Sequence, residues 1–255
     1  MLRAIDHLVV AVTDLDGAVK TYGDLGFTVV PGGRHTGGAT ENALIGFRDT
    51  SYLELVGFTE PRPAHRWWAA LARGGGLVDF GLQTDDVAGD AKALRQAGVH
   101  LGELERLGRR RPDGVEVRWV FALPQGAHLG IAPFVIADET PRDERVPRQR
   151  AHANGVAGIG TVTVAVDDLA AVRQWYAAAL GAPGETVARP ELGATGARFT
   201  LGPHTLEFLA PTGAGAIRDW LGVRGPSPYA ATLVGAVQRG PLDLARTFGA
   251  RLALA

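Results

Sequence analysis

One pattern, met three times and begun a fourth, constrains this chain more than any other. A β-branched strand runs into an acidic residue, a short amphipathic helix and a glycine stop. It reads IDHLVVAVTDLDGAVKTYGDLGF from Ile5, VDFGLQTDDVAGDAKALRQAGVH from Val78 and IGTVTVAVDDLAAVRQWYAAALGA from Ile159. Asp14, Asp86 and Asp168 stand where a helix N-cap is expected, since a carboxylate there accepts from free backbone N–H groups and faces the positive end of the helix dipole. Gly26, Gly98 and Gly181 follow 12, 12 and 13 residues later, where a left-handed C-cap favours glycine.

Three strand-like segments follow each helix. They are FTVV, ENALIGF and YLELVGF in the first unit, LGELERL, VEVRWVFAL and LGIAPFVIA in the second, and ETVA, ARFTL and HTLEFLA in the third. The unit is therefore βαβββ. A fourth copy, YAATLVGAVQRGPLDLARTFGARLALA, predicts a helix opening at Pro241 and stopping at Gly249, and ends after its second strand. A longer repeat contains these units: YLELVG with RWWAALARGGG parallels TLEFLA with IRDWLGVRG about 153 residues on. Between the halves, ADETPRDERVPRQRAHANG is polar and rich in proline and arginine, and reads as a linker. The expected division is residues 1–150, an N-terminal lobe of two modules, and 151–255, a C-terminal lobe of one module plus a truncated one. The expected fold is α+β, with tandem βαβββ modules in two internally duplicated lobes.

Composition narrows the function. The 255 residues are 46% apolar, and 26 basic residues against 27 acidic ones leave a net charge of -1. That balance argues against disorder and gives no general attraction to nucleic acid or to an anionic membrane. No apolar run approaches the roughly 20 residues that span a bilayer, and the opening MLRAIDHLVV enters a strand without a signal-peptide pattern. The absence of cysteine removes disulfides, thiolate metal sites and thiol nucleophiles. The expectation is a soluble, cytoplasmic protein. Strand edges left by the truncated module are compatible with a homodimer.

Tandem βαβββ modules that open with IDHLVVAVTDLD and close a strand with YLEL resemble the vicinal oxygen chelate superfamily, which includes glyoxalases, extradiol dioxygenases and bleomycin-resistance proteins. GGRHTGGATENALIGF, YLELVGF and RRPDGVEVRWVFALP are similar to its glyoxalase-like group. The resemblance covers residues 4 to about 136, and the internal repeat carries it onward. It implies modules paired into cupped mixed sheets around a divalent metal, with ligands from the first and last strands of a module. His7 and Glu54 match those positions. Alternation puts Ile5, His7, Val9 and Ala11 on one face, and Tyr52, Glu54 and Val56 on one face of their strand. An imidazole nitrogen with a carboxylate oxygen suits Fe, Mn, Zn, Ni or Co. The alternative is a His–Glu pair hydrogen-bonded in the cup. Asp79 and His128 are the candidates for a third ligand, with an arginine-paired strand end the competing reading for Asp79. In the second half, Thr161 replaces His7, Glu207 replaces Glu54 and the alignment puts Ala197 at Asn42, so the chemistry is expected in the first half.

Other residues point to the same cup. Arg34, His35 and Asn42 lie in a glycine-rich stretch that lets backbone approach a ligand. Arg34 suits a carboxylate or phosphate and His35 suits proton transfer. Arg118 and Trp119 are neighbours on one strand, so only one of them faces inward. Arg109, Arg110 and Arg111 read as a solvated run. The expected function is a divalent-metal-dependent lyase, isomerase or dioxygenase acting on a small oxygenated molecule. Glu54 and His35 would be catalytic, and Arg34, Asn42 and Arg118 or Trp119 would contact the substrate. The alternative is a metal-free protein that binds or sequesters a small molecule.

Overall fold

The computed structural model describes residues 2–255. The first module comprises β1 (Leu2–Ala11), α1 (Leu15–Asp24), β2 (Val30–His35), β3 (Thr40–Gly46) and β4 (Tyr52–Phe58), followed by the single turn α2 (Trp68–Leu71). The second has β5 (Gly76–Thr84), α3 (Val87–Gln96), β6 (Glu105–Arg110), β7 (Glu116–Ala122) and β8 (Phe134–Asp138), then α4 (Arg142–Arg145). The third has β9 (Gly158–Ala165), α5 (Leu169–Leu180), β10 (Glu185–Arg189), β11 (Ala194–Leu201) and β12 (His204–Pro211), then α6 (Ala216–Arg224). The fourth supplies β13 (Ser227–Val234), β14 (Gly240–Pro241) and β15 (Leu252–Leu254). The α+β reading with tandem βαβββ modules holds.

The helix punctuation follows the sequence. Asp14, Asp86 and Asp168 accept from the backbone N–H of Gly17, Gly89 and Ala171 at 3.0, 2.9 and 2.9 Å, which satisfies donors that each helix start leaves free. Among the described residues, the strands of the first two modules close into an eight-stranded barrel, and the rest form an open seven-stranded sheet. In the barrel, β1 pairs parallel to β4 and antiparallel to β5, and the β2–β6 contact completes the ring. One apolar core runs through both lobes. It includes Leu8 and Tyr22 from the first module, Leu94 from the second, and Tyr176 and Phe208 from the third.

Three expectations change. Residues 242–249 form turns and no helix, and Pro241 lies in β14. Asp243 turns its carboxylate onto the N–H of Ala245, and Phe248 has φ 53°, so the segment is wound too irregularly for a helix. Secondly, β1 does not alternate evenly. A register shift between Ile5 and His7 sends Ile5 outward to the core with Leu8 and Val10, while Val9 and Ala11 meet Val56 inside the barrel. Thirdly, the stretch between the lobes is not a free spacer. Its α4 packs on the barrel, and Arg145 is 1% exposed.

Candidate active site in the barrel

The β1 bulge places Asp6 and His7 side by side in the barrel interior. His7 Nδ1 lies 2.6 Å from Asp6 Oδ1. The ring stacks on Tyr52 at 4.5 Å and meets Phe134 edge-on at 5.2 Å. Gly81 lies opposite on β5, where a Cβ would come within 2.7 Å of the Phe134 ring and 3.2 Å of His7 Cε1, so only glycine leaves the imidazole its seat. Asp6 is fully buried. Arg145 holds it with two hydrogen bonds, at 2.8 and 2.7 Å, and Arg142 adds a third at 2.7 Å. Burial alone would push the Asp6 carboxyl up, but the two guanidiniums hold it well below the usual range. An ionised Asp6 can only accept, so Nδ1 of His7 carries a proton and Nε2 is presented to the interior. Burial opposes a charge on His7, yet Asp6 and Glu54 together raise its pKa above the ordinary histidine value.

Glu54, on β4, sits between two imidazoles. Its Oε2 lies 3.4 Å from His7 Nε2, and its Oε1 lies 3.4 Å from His35 Nε2. Asn42 Nδ2 donates to the same Oε1 at 2.6 Å. His35 is steadied by Thr40 Oγ1, 2.9 Å from its Nδ1, and stands edge-on to Trp119. Burial raises the Glu54 pKa, but contacts with His35 and His7 outweigh it and keep the carboxylate ionised, well below its usual value. Gly32 makes room for this arrangement, since a Cβ there would lie 2.0 Å from Asn42 Oδ1.

These groups border a cavity of about 70 Å³ whose apolar wall includes Leu107, Trp119, Phe121 and Phe134. Of the residues singled out in the sequence, His7, His35, Glu54 and Trp119 border it, and Asn42 reaches it through Glu54. Arg34 and Arg118 do not. Both are exposed, because alternation turns each one outward when His35 and Trp119 turn in. Asp79 is opposite Val9, accepts from Trp67 Nε1 at 3.1 Å and lies 3.3 Å from Arg66 Nε, so the arginine-paired reading describes it. His128 accepts from the N–H of His100 at 2.8 Å and rests on Trp175, away from the barrel interior. Among the described residues, no group of three or more His, Cys, Asp or Glu side chains is disposed to hold a metal ion.

Three cationic cavity residues, Arg66, Arg109 and Arg145, escaped the sequence reading. Arg66 lies over the Trp67 ring at 4.5 Å. Arg109 belongs to the supposed solvated run but is 3% exposed. Period-2 alternation with Leu107 was the available signal, and three successive arginines obscured it. In the C-terminal lobe the equivalent carboxylate is locked. Arg189 holds Glu207 at 2.7 and 3.0 Å, and Arg198 holds it at 2.9 and 3.2 Å. The pairing of Leu44 with Glu54 and of Arg198 with Glu207 puts Gly196, not Ala197, at the position of Asn42.

A family model described as a glyoxalase-like domain matches residues 5–180. The chain belongs to the glyoxalase-like domain family. Solved structures agree on the vicinal oxygen chelate fold of this glyoxalase-like protein. A hypothetical protein from Staphylococcus aureus superposes with a TM-score of 0.70 at 15% identity, over 98% of both chains. A triple mutant of 4-hydroxymandelate synthase from Streptomyces coelicolor gives 0.62 at 17% identity, over 92% of this chain and 72% of the other. A fusion protein of a xylose isomerase-like TIM barrel with a 4-hydroxyphenylpyruvate dioxygenase gives 0.53 at 17% identity, over 97% of this chain and 38% of the other. A search of curated proteins finds no match.

Proposed function

We propose that the barrel of this glyoxalase-like protein is the active site of a divalent-metal-dependent enzyme acting on a small oxygenated molecule, with lyase or isomerase chemistry ahead of dioxygenation. The observation that carries the proposal is the Glu54 carboxylate, buried and ionised between His7 and His35. The whole set falls within the proposed N-terminal lobe, residues 1–150.

The donor chemistry of His7 and Glu54 fits a metal. A carboxylate on Nδ1, as Asp6 provides, is the arrangement that orients metal-ligating histidines. Two donors each about 2.1 Å from one ion lie roughly 3.0–3.4 Å apart at angles between 90° and tetrahedral, and Nε2 and Oε2 are 3.4 Å apart. A first-row divalent ion bound there supplies a Lewis acid for vicinal substrate oxygens and stabilises negative charge developing on them. The protein's own part is proton handling and exclusion of water. His35, tethered by Thr40, is placed to take or return a proton beside the cavity. Asn42 fixes the carboxylate of Glu54, while Trp119 and Phe134 limit access of solvent. Proton transfer next to a carbonyl is the step these side chains supply themselves, which favours isomerisation or elimination.

The second reading, metal-free binding or sequestration, draws support from the ligand count, because catalytic metals usually have three protein ligands and neither Asp79 nor His128 joins this pair. Elemental analysis after metal-replete expression separates the two. The enzyme reading expects about one transition metal per chain, lost in His7→Ala. No metal in the wild type, with small-molecule binding retained, establishes sequestration instead.

A further inference from the structure

Every cation around the barrel interior has a carboxylate partner except one. Arg145 and Arg142 answer Asp6 and Asp138, and Arg66 answers Asp79. Glu54 is met by the two imidazoles. Arg109 has no ion-pair partner among the described residues. Its Nη2 donates to the Arg145 carbonyl at 2.5 Å, and its buried Nε has no hydrogen-bond partner. The Glu54 carboxylate across the same cavity acts on it at a distance, but a buried guanidinium that no carboxylate touches is costly. Arg109 also borders two cavities at once: the inner one of about 70 Å³, shared with Glu54 and His7, and an outer one of about 490 Å³. Arg145 borders both as well, but its guanidinium is committed to Asp6 and Asp138.

Resting on the reading of the inner cavity as the substrate site, we infer that Arg109 anchors the substrate, and that the substrate is a small monocarboxylate. One guanidinium that no carboxylate touches calls for a monoanion. The planar guanidinium fork matches the two oxygens of a carboxylate, and a phosphate dianion would need a second free cation. Size follows from volume: the inner cavity of about 70 Å³ has room for roughly five to seven water-sized groups. A short acid of about three to five carbons fills it, with its carboxylate on Arg109 and its chain against Leu107, Trp119 and Phe134.

The test uses the full chain with excess chelator, so that its outcome is independent of any metal. Butyrate and its neutral isostere butyramide are titrated by saturation-transfer NMR against wild type, Arg109→Gln and Arg109→Lys, with melting temperatures recorded for each. The wild type should prefer butyrate to butyramide at least tenfold. Arg109→Gln should lose that preference, and Arg109→Lys should keep part of it. If Arg109→Gln fails to fold, the wild-type preference and the lysine variant decide. Equal binding of acid and amide, binding of neither, or an acid preference that survives in Arg109→Gln overturns the inference. Inorganic phosphate displacing butyrate more strongly than a carboxylate does overturns the substrate class. A wild type that prefers butyrate in chelator, yet carries no metal in the separate elemental analysis after metal-replete expression, upholds Arg109 and sinks only the metal reading.

Discussion

Glu54 and Glu207 hold the same place in two copies of one module, and their neighbours give them opposite lives. Glu54 is buried at 5% exposure between two imidazoles and an amide, beside a cavity. Glu207 is buried to 3%, but four hydrogen bonds from Arg189 and Arg198 consume both of its oxygens. The strand supplies a carboxylate in both cases. In the proposed function, what makes Glu54 available for chemistry is a partner that can exchange a proton, in place of an arginine that cannot. Closure reinforces the difference. The first two modules complete a barrel around Glu54, whereas among the described residues the strands around Glu207 form a seven-stranded sheet that does not close.

The comparison is most easily broken at the arginines. Arg145→Ala leaves buried Asp6 with Arg142 as its one guanidinium partner beside the His7 ring and should cost about 3–5 kcal/mol by urea unfolding. Arg189→Ala in the other lobe should cost no more than about 1 kcal/mol, because Glu207 keeps Arg198 and the pair is partly solvated. Equal losses would show that the two carboxylates are held alike. Next in size, Glu54→Gln should lower turnover of any identified substrate by about a hundredfold or more, with Glu207→Gln within twofold of wild type. Asn42→Ala removes the donor at Glu54 Oε1 and should cost about 1–2 kcal/mol in stability. The smallest effect concerns the barrel's flank. Burial and the neighbouring Arg66 charge push His65 down to about 4. Its folded value thus lies below the unfolded value of about 6.5. The unfolded chain binds the proton first, so this contribution to stability is present above that pH and is lost as pH falls toward 4. An NMR titration of the His65 ring should show the low midpoint, and His65→Asn should flatten the acid limb of the stability curve.

Much of this was legible in local signals. Caps and glycine stops gave the module, and alternation in YLEL placed Glu54 beside Tyr52 on the inner face. Signals that depend on distant chain were not. Asp6 reads as an ordinary polar residue until a one-residue register shift turns it inward beside His7. Arg142 and Arg145 read as linker charges until the chain folds back onto the barrel. Arg34 and Arg109 exchanged roles for the same kind of reason. Each lies on an alternating strand, and the neighbouring arginines and glycines gave no hint which parity faces the interior. The fourth unit misled in the other direction, since a proline and a glycine at helical spacing framed a segment that only turns.

The fold-back has a consequence for synthesis. The arginines that neutralise Asp6 lie 136 and 139 residues after it in the chain. Domains generally begin folding from the N-terminus as they emerge, yet here the innermost carboxylate of the first strand has no counter-charge until both modules of the barrel have been made. His7 takes its orientation from that carboxylate. On the ribosome the pocket around His7 would be the last part of the barrel to set, and a chain interrupted before Arg142 would carry the strands of the barrel without the electrostatic keystone that locks them.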